Sequence, residues 1–262
     1  MAKPIVKIDE SVGTQTTPEK TFVPTPEAKK KATTDRIVAV VLWVLALGCE
    51  ATAIFYVLMQ KPANFIVWLI VCIVADLALV IVGSMIWKKA NRLDPASKKD
   101  KTRFFIQNQL GAIISIIAFL PLVILIFTDK DLSGKQKGIV GAIAIVALIG
   151  AGLLSADFNP PSVEQYTDQI NQVETLTGQN HVYWTKSGTH YHLYADCYTI
   201  NRDVTTEIYE GTVQQARELK NITDLCSICE NRALAEKAAN EAQVGETEEA
   251  EELNQGDADQ AA

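Results

Sequence analysis

The chain has 262 residues, of which 48% are hydrophobic, and its formal net charge at pH 7 is −7. The negative charge is concentrated in residues 233–262, which hold nine acids and one lysine. The rest of the chain holds 23 bases and 22 acids and is close to neutral. No basic domain of the kind that binds nucleic acid is present, so we expect no nucleic-acid partner. The acidic end predicts a solvated tail and implies no acidic fold.

The first segment of the chain has little to bury. Residues 1–35 are rich in Thr, Pro and Lys and hold few apolar side chains. Such a composition cannot offset the entropy lost on folding. The sequence therefore predicts a disordered cytoplasmic N-terminal tail.

Four long apolar runs follow this tail. A bilayer core of about 30 Å needs roughly 20 apolar residues in a helix. None of the four runs contains Lys or Arg, and the sequence predicts an α-helical membrane protein with a four-helix transmembrane bundle at 36–156. The predicted spans are residues 37–59, 65–87, 104–127 and 139–156. The fourth is short and rich in Gly and Ala, and its alternative is a buried amphipathic element.

The basic residues of the short loops predict the orientation. Four bases lie within residues 29–36 and seven within 88–103, whereas the loop at 60–64 has one and the three lysines of 128–138 are offset by two aspartates. Basic loops stay in the cytoplasm. We therefore expect a multi-pass protein of the cell (plasma) membrane with the N-terminus and the C-terminus both cytoplasmic.

Two carboxylates interrupt the first two spans. Glu50 lies about 20 Å from the cytoplasmic start of its span and Asp76 about 17 Å from the outer start of its own, so both are expected near the middle of the bilayer. No base within the spans can pair with them. They can serve a proton or cation path, or they can be neutral acids that hold helices together, and we favour the second interpretation.

The segment after the spans predicts a linker and a helix. Asn159-Pro160-Pro161 breaks the chain, and apolar residues then recur at helical spacing over 162–177. Ser162 is a candidate cap with Gln165 three residues on. We assign 157–180 to this juxtamembrane region, and we expect 233–262 to begin as a helix and continue as a mostly disordered acidic tail.

Residues 181–232 have the pattern of a small β-rich (α+β) domain. Residues 182–185 alternate like a strand, 186–188 read as a turn, and 190–194 read as a returning strand. Residues 205–210 are a third strand candidate, and Thr212 can cap a helix at 213–219. About 50 residues cannot bury a large core, which favours stabilisation by a structural metal.

Four residues of this segment are candidate metal ligands: His192, Cys197, Cys226 and Cys229. Thiolates and imidazole suit Zn2+, and a C-x-x-C pair lets two sulfurs hold one tetrahedral ion. A cytoplasmic location keeps thiols reduced, which favours metal over a disulfide. His190 is a lesser alternative to His192, and a redox C-x-x-C or unligated cysteines are the competing interpretations.

The same segment resembles a known small module. The run Val182-Tyr183-Trp184-Thr185, then Gly188, Tyr191-His192, Asp196-Cys197, Gly211-Thr212 and Leu225-Cys226-x-x-Cys229 is similar to an Ada-type metal-binding module. The resemblance covers about a fifth of the chain and none of the spans, and in bacteria such modules are attached to membrane proteins and secreted nucleases. It implies the module's fold and a zinc site.

The resemblance does not extend to DNA repair. In the DNA-repair member of the family, the first of four zinc-binding cysteines accepts a methyl group from DNA phosphate. His192 stands at that position and is not a thiol. Residues 181–232 also carry five bases against seven acids, which does not favour a DNA partner.

These observations predict a non-enzymatic role. A zinc-stabilised cytoplasmic domain would present a surface to a protein partner, since a closed set of four ligands leaves no position for a substrate. The alternative is a small transporter or channel component that uses Glu50 and Asp76, with the domain as a metal sensor. A membrane-tethered enzyme with an open zinc site is the third class.

Overall fold

The computed structural model describes residues 4–7, 21–220 and 222–259. The chain divides into two compact units. The membrane unit is Val23–Gln165, and the C-terminal unit comprises Met1–Phe22 with Tyr166–Ala262. The division falls inside one helix, α5, which runs from Val163 to Thr177.

Long helices build the membrane unit. Among the described residues, four helical segments are long and apolar enough to cross a membrane, as the sequence predicts, and they indicate a membrane protein. The first is α1 with a π-helical segment that continues it. The bounds are α1 Pro26–Thr52, the π-helical segment Ala53–Leu58, α2 Phe65–Leu93, α3 Lys101–Thr128 and α4 Gly134–Ser155.

Polar caps explain why three of these helices, α1, α3 and α4, begin before the predicted apolar spans. Thr25 precedes α1 and accepts a hydrogen bond from the backbone N–H of Ala28 at 3.1 Å, and Asp100 does the same for Arg103 at 3.0 Å. Ser133 and Gln136 form a reciprocal capping box at the start of α4. Because each of these caps lies outside the apolar run, each of the three helices begins with polar residues beyond the bilayer core.

The predicted disorder of residues 1–35 is wrong for part of that segment. Residues Ile5–Lys7 form a strand, β1, and α1 already begins at Pro26. The apolar Ile5 and Val6 pair with a later strand, while Thr25 and the proline at the first helical position start the helix. Residues 8–20 lie outside the described residues.

The end of the chain also differs from the predicted disordered tail. Helix α7 runs from Ser227 to Asp259, so most of 233–262 is helical. Ala and Glu are good helix formers, and this segment contains no proline, which explains why the helix started at Ser227 continues. Residues 260–262 lie outside the described residues.

The helices of the membrane unit bury small and polar residues together with a core of large apolar side chains, and they also expose many large apolar side chains. Ala32, Ala39, Ala46 and Ala53 are buried at seven-residue intervals along the first span, a spacing typical of helices that pack at a shallow angle. Side chains such as Phe55, Trp68 and Val146 are more than half exposed. This pattern is expected where lipid, and not water, surrounds the bundle.

The C-terminal unit contains short strands around an aromatic core. The further elements are β2 Val182–Trp184, β3 His190–Tyr191, β4 Ile208–Gly211, α6 Val213–Lys220 and β5 Asp224–Leu225. One sheet has the order β1-β4-β2, with β1 parallel and β2 antiparallel to β4, and β3 pairs with β5 in parallel. Trp184 and Tyr191 are completely buried in the core.

Two predicted caps are present at the helices that flank this core. The hydroxyl of Ser162 accepts the backbone N–H of Gln165 at 3.1 Å, at the start of α5. Thr212 and Gln215 exchange hydrogen bonds of 3.2 and 2.8 Å at the start of α6. The sequence therefore predicts both helix starts correctly.

Candidate metal centre and buried membrane acids

Four side chains from distant parts of the sequence converge in the C-terminal unit. His192, Cys197, Cys226 and Cys229 are all buried, and one ligand atom from each lies within 4.8 Å of the others. These are the four residues that the sequence selects as metal ligands. The cluster has the donor set of a metal site, one imidazole nitrogen and three sulfurs.

Strand pairing places two of the ligands. His192 follows β3, and its backbone exchanges two hydrogen bonds of 2.7 Å with Tyr183 of β2. Cys226 follows β5 directly, and its N–H donates to the carbonyl of Tyr191 at 2.9 Å. Because β3 and β5 are parallel neighbours, His192 and Cys226, which follow them, lie at the same end of this small sheet.

A turn and a helix start place the other two. The carbonyl of Cys197 accepts the N–H groups of Ile200 and Asn201 at 3.1 and 2.9 Å, which closes a tight turn around the cysteine. Cys229 lies in the first turn of α7. The three-residue step from Cys226 to Cys229 therefore brings both sulfurs to one side of a helix start.

An ion-pair and aromatic network holds α7 against the turn of Cys197. Arg232 on α7 pairs with Asp196 at 3.0 Å and with Glu236 at 2.9 Å. Its guanidinium lies 3.9 Å from the ring centre of Tyr194, and the hydroxyl of Tyr194 donates to Glu236 at 2.6 Å. The network orients the elements that carry Cys197 and Cys229, and the sequence alone gave no indication of it.

Thr199 is a second residue that sequence reasoning missed. Its hydroxyl oxygen lies 3.1 Å from Sγ of Cys197, 3.3 Å from Nδ1 of His192 and 3.8 Å from Sγ of Cys226. A hydroxyl in this position can donate to a thiolate and orient it. Its only sequence signal is its place two residues after Cys197, which is too common a pattern to select it.

The pKa values of His192 and Cys226 are shifted in the direction that suits metal ligands, and that of Cys229 is shifted in the opposite direction. Burial, and then the charge of His190, lowers the pKa of His192 to about 4, so its imidazole is neutral at pH 7. Burial alone would raise the pKa of Cys226, but hydrogen bonds from the backbone of Cys229 and Ile228 bring it below its usual value. Burial, and then a hydrogen bond with Cys197, raises the pKa of Cys229 to about 12.

The separations within the cluster are close to those of a tetrahedral metal site. In a tetrahedral site with Zn–S near 2.3 Å and Zn–N near 2.0 Å, ligand atoms lie about 3.3 to 3.8 Å apart. Nδ1 of His192 and Sγ of Cys229 are 3.6 Å apart. The remaining separations, at most 4.8 Å, need only small side-chain adjustments to close around an ion.

His190 lies outside the four-residue cluster. Its side chain is exposed, and its Nδ1 is 2.9 Å from the hydroxyl of Thr189. It lines a cleft of about 370 Å³ together with His192, Thr199 and Cys226. The cleft thus runs from the surface to the edge of the cluster, where His192 and Cys226 form part of its wall.

The two acids predicted inside the membrane are buried in the membrane unit. Glu50 is 7% exposed and Asp76 2% exposed. Within the described residues, both oxygens of Asp76 and Oε1 of Glu50 have no hydrogen-bond partner. Glu50 contacts the backbone of Leu122, the residue after Pro121, and the π-helical segment begins three residues after Glu50. Such segments are frequent at functional sites.

A comparison with protein-family models, curated proteins and solved structures found no match to this chain.

Proposed function

We propose that this chain is a multi-pass membrane protein whose C-terminal unit holds one structural Zn2+ ion and presents the surface so formed to a cytoplasmic protein partner. The observation that carries the proposal is the convergence of His192, Cys197, Cys226 and Cys229 in one buried cluster. The role is non-enzymatic, because four protein ligands complete the tetrahedral coordination of the ion and leave no position for a substrate. The likeness to Ada-type modules belongs to the same proposal, since the cluster unites the histidine and cysteines on which that likeness rests.

The arrangement of the strands supports a common side for both ends of the chain. Residues Ile5–Lys7 precede the four apolar helices, and β4 follows them, yet the two strands pair in parallel. A strand pair cannot form across a bilayer, so this pairing favours an even number of crossings. Together with the basic loop at 88–103, it supports cytoplasmic termini at the cell membrane.

The cleft beside the cluster is the surface that we assign to the partner. Its walls come from the turn around Gly188, the segment after Thr199 and the start of α7 at Ile228. The metal ligands join these three segments, so loss of the ion would separate them. Partner binding is therefore expected to depend on zinc although the partner does not touch the ion.

A position-specific crosslinking experiment tests this function. A photo-reactive residue is placed at Ile228, in the cleft, or at Leu219, an exposed position on α6 outside it, in the full chain in native membranes. We expect one discrete adduct from position 228, none from position 219, and loss of the adduct in a Cys226→Ser background. Equal crosslinking from both positions, or crosslinking that survives Cys226→Ser, would contradict partner presentation by the metal-organised cleft.

A second candidate function has its own observation. Among the residues that the structure describes, Asp76 is buried with no hydrogen-bond partner on either oxygen, and Glu50 is buried with none on Oε1. Such carboxylates are costly in a membrane unless they exchange protons or cations or face water. This favours a small transporter or channel component in which the C-terminal unit senses metal.

A further inference from the structure

A cavity lies at the end of the membrane unit that carries the basic 88–103 loop. It is an open cavity of about 630 Å³ between Arg36 of α1, Trp87 near the end of α2 and the first turns of α3. Arg36, Trp87 and Arg103 line it at the level where the apolar spans end, and Ile106 and Leu110 line it one to two turns deeper along α3. The cavity therefore has a basic mouth at the interface and an apolar wall toward the bilayer.

Hydrogen bonds within the membrane unit hold the walls of this cavity in place. The indole N–H of Trp87 donates to the carbonyl of Gln107 at 2.7 Å, and the amide of Gln107 donates to the carbonyl of Asp94 at 3.0 Å. Arg36 binds the carboxylate and the carbonyl of Asp94 at 2.7 and 2.9 Å. A ligand would thus meet a site that is already formed, which reduces the entropy lost on binding.

The charges around the mouth favour an anion. The terminal nitrogens of Arg36 are already bound by Asp94, which leaves the guanidinium of Arg103 for a ligand. Arg103 is exposed, while Asp100, the acid at the mouth, accepts the backbone N–H of Arg103 as a helix cap. Residues 88–103 carry seven bases against two acids, so the local potential is positive.

We propose that this cavity binds one anionic phospholipid from the leaflet that faces the 88–103 loop. The guanidinium of Arg103 takes the headgroup phosphate, since guanidinium groups are good donors to phosphate oxygens. One acyl chain lies along Ile106 and Leu110. A free phosphate ion would use only the mouth, whereas a phospholipid matches both the basic and the apolar parts, as basic pockets between membrane helices do for anionic headgroups.

Native mass spectrometry of the purified full chain tests the proposal. The protein is titrated in detergent with phosphatidylglycerol, with phosphatidylcholine of the same acyl chains, and with inorganic phosphate. We expect one retained phosphatidylglycerol, at least about tenfold weaker retention of phosphatidylcholine, and no displacement by millimolar phosphate. Equal retention of both lipids, or displacement by inorganic phosphate, would overturn the assignment to an anionic lipid.

Two variants and a matched control complete the test. Arg103→Gln should weaken phosphatidylglycerol retention about tenfold or more, while Lys101→Gln, the same loss of charge two residues earlier and outside the cavity, should not. Ile106→Trp, which fills the apolar wall without changing charge, should reduce retention of both lipids. If Lys101→Gln matches Arg103→Gln, or Ile106→Trp binds like the parent, the lipid is held by a diffuse basic surface and the site does not exist.

Discussion

Nδ1 of His192 lies 3.6 Å from Sγ of Cys229, although 37 residues separate them in the chain. The approach results from two local structures: the pairing of β3 with β5 brings His192 beside Cys226, and the first turn of α7 brings Cys229 to the same place. Since neither residue is close to the other in sequence, the candidate metal site can form only when the C-terminal unit is folded.

Thr199 offers the first prediction. Its hydroxyl lies 3.1 Å from Sγ of Cys197, so Thr199→Val removes a donor to a metal-bound thiolate while keeping the side chain's shape. We expect zinc affinity to fall by about ten- to a hundredfold, with the site still filled at stoichiometric zinc. Competition with a chromophoric chelator measures the affinity.

The matched control for this change is Thr206→Val, because Thr206 is exposed on the same segment and lies outside the cleft. Its zinc affinity should equal that of the parent. A Thr199→Val protein that binds zinc as tightly as the parent would mean that the hydroxyl does not support the ligands.

Close helix packing in the membrane unit offers a second prediction. A Cβ added at Gly83 would lie 2.7 Å from Nε1 of Trp43 and 3.3 Å from the backbone carbonyl of Ala39. Gly83→Ala should therefore overpack the contact between α1 and α2 and reduce stability by about 1–3 kcal/mol. A lower midpoint of thermal unfolding in detergent would report this loss.

Gly48→Ala is the control, since a Cβ there meets nothing within 4 Å. It should leave the midpoint unchanged or raise it, because Ala is the better helix former. If Gly83→Ala and Gly48→Ala unfold at the same temperature, α1 and α2 do not pack as described.

The membrane acids discriminate between the two candidate functions. If Glu50 and Asp76 carry protons or cations, Glu50→Gln and Asp76→Asn should each abolish ion flux through the protein in proteoliposomes. Neither variant should lower thermal stability, because an amide avoids the cost of an unpaired buried carboxylate.

Glu27→Gln removes an exposed acid from the same helix and should keep any flux of the parent. Parent flux that persists in both Glu50→Gln and Asp76→Asn would leave the acids with a structural role, in which they hold helices together.

Much of this molecule follows from simple patterns in the sequence. Four uncharged apolar runs predict four helices, because bilayer thickness and helix rise determine the length required. Ser162 and Thr212 predict helix starts, because a side-chain oxygen just before a helix accepts a hydrogen bond from an unpaired backbone N–H two or three residues later. This interaction is local, so it can be read from the sequence. The grouping of the four candidate ligands is predictable for a similar reason, since thiol and imidazole groups at C-x-x-C and H-x4-C spacing have few other uses in a short segment.

Features that depend on distant contacts could not be predicted in this way. The strand Ile5–Lys7 exists through its pairing with β4, which lies about 200 residues later, so local composition indicated disorder. Thr199 and Arg232 have ordinary neighbours in sequence, and their roles come from the fold, which places them beside Cys197 and Asp196.

The most direct test of the account is elemental analysis of the purified full chain. We predict one zinc ion per chain for the parent and for His190→Ala, and loss of the ion in His192→Ala and Cys226→Ser. The His190 variant is the matched control, since its imidazole lies in the same cleft but outside the cluster. A folded parent without zinc, or zinc that is lost with His190 and kept without His192, would contradict the proposed centre.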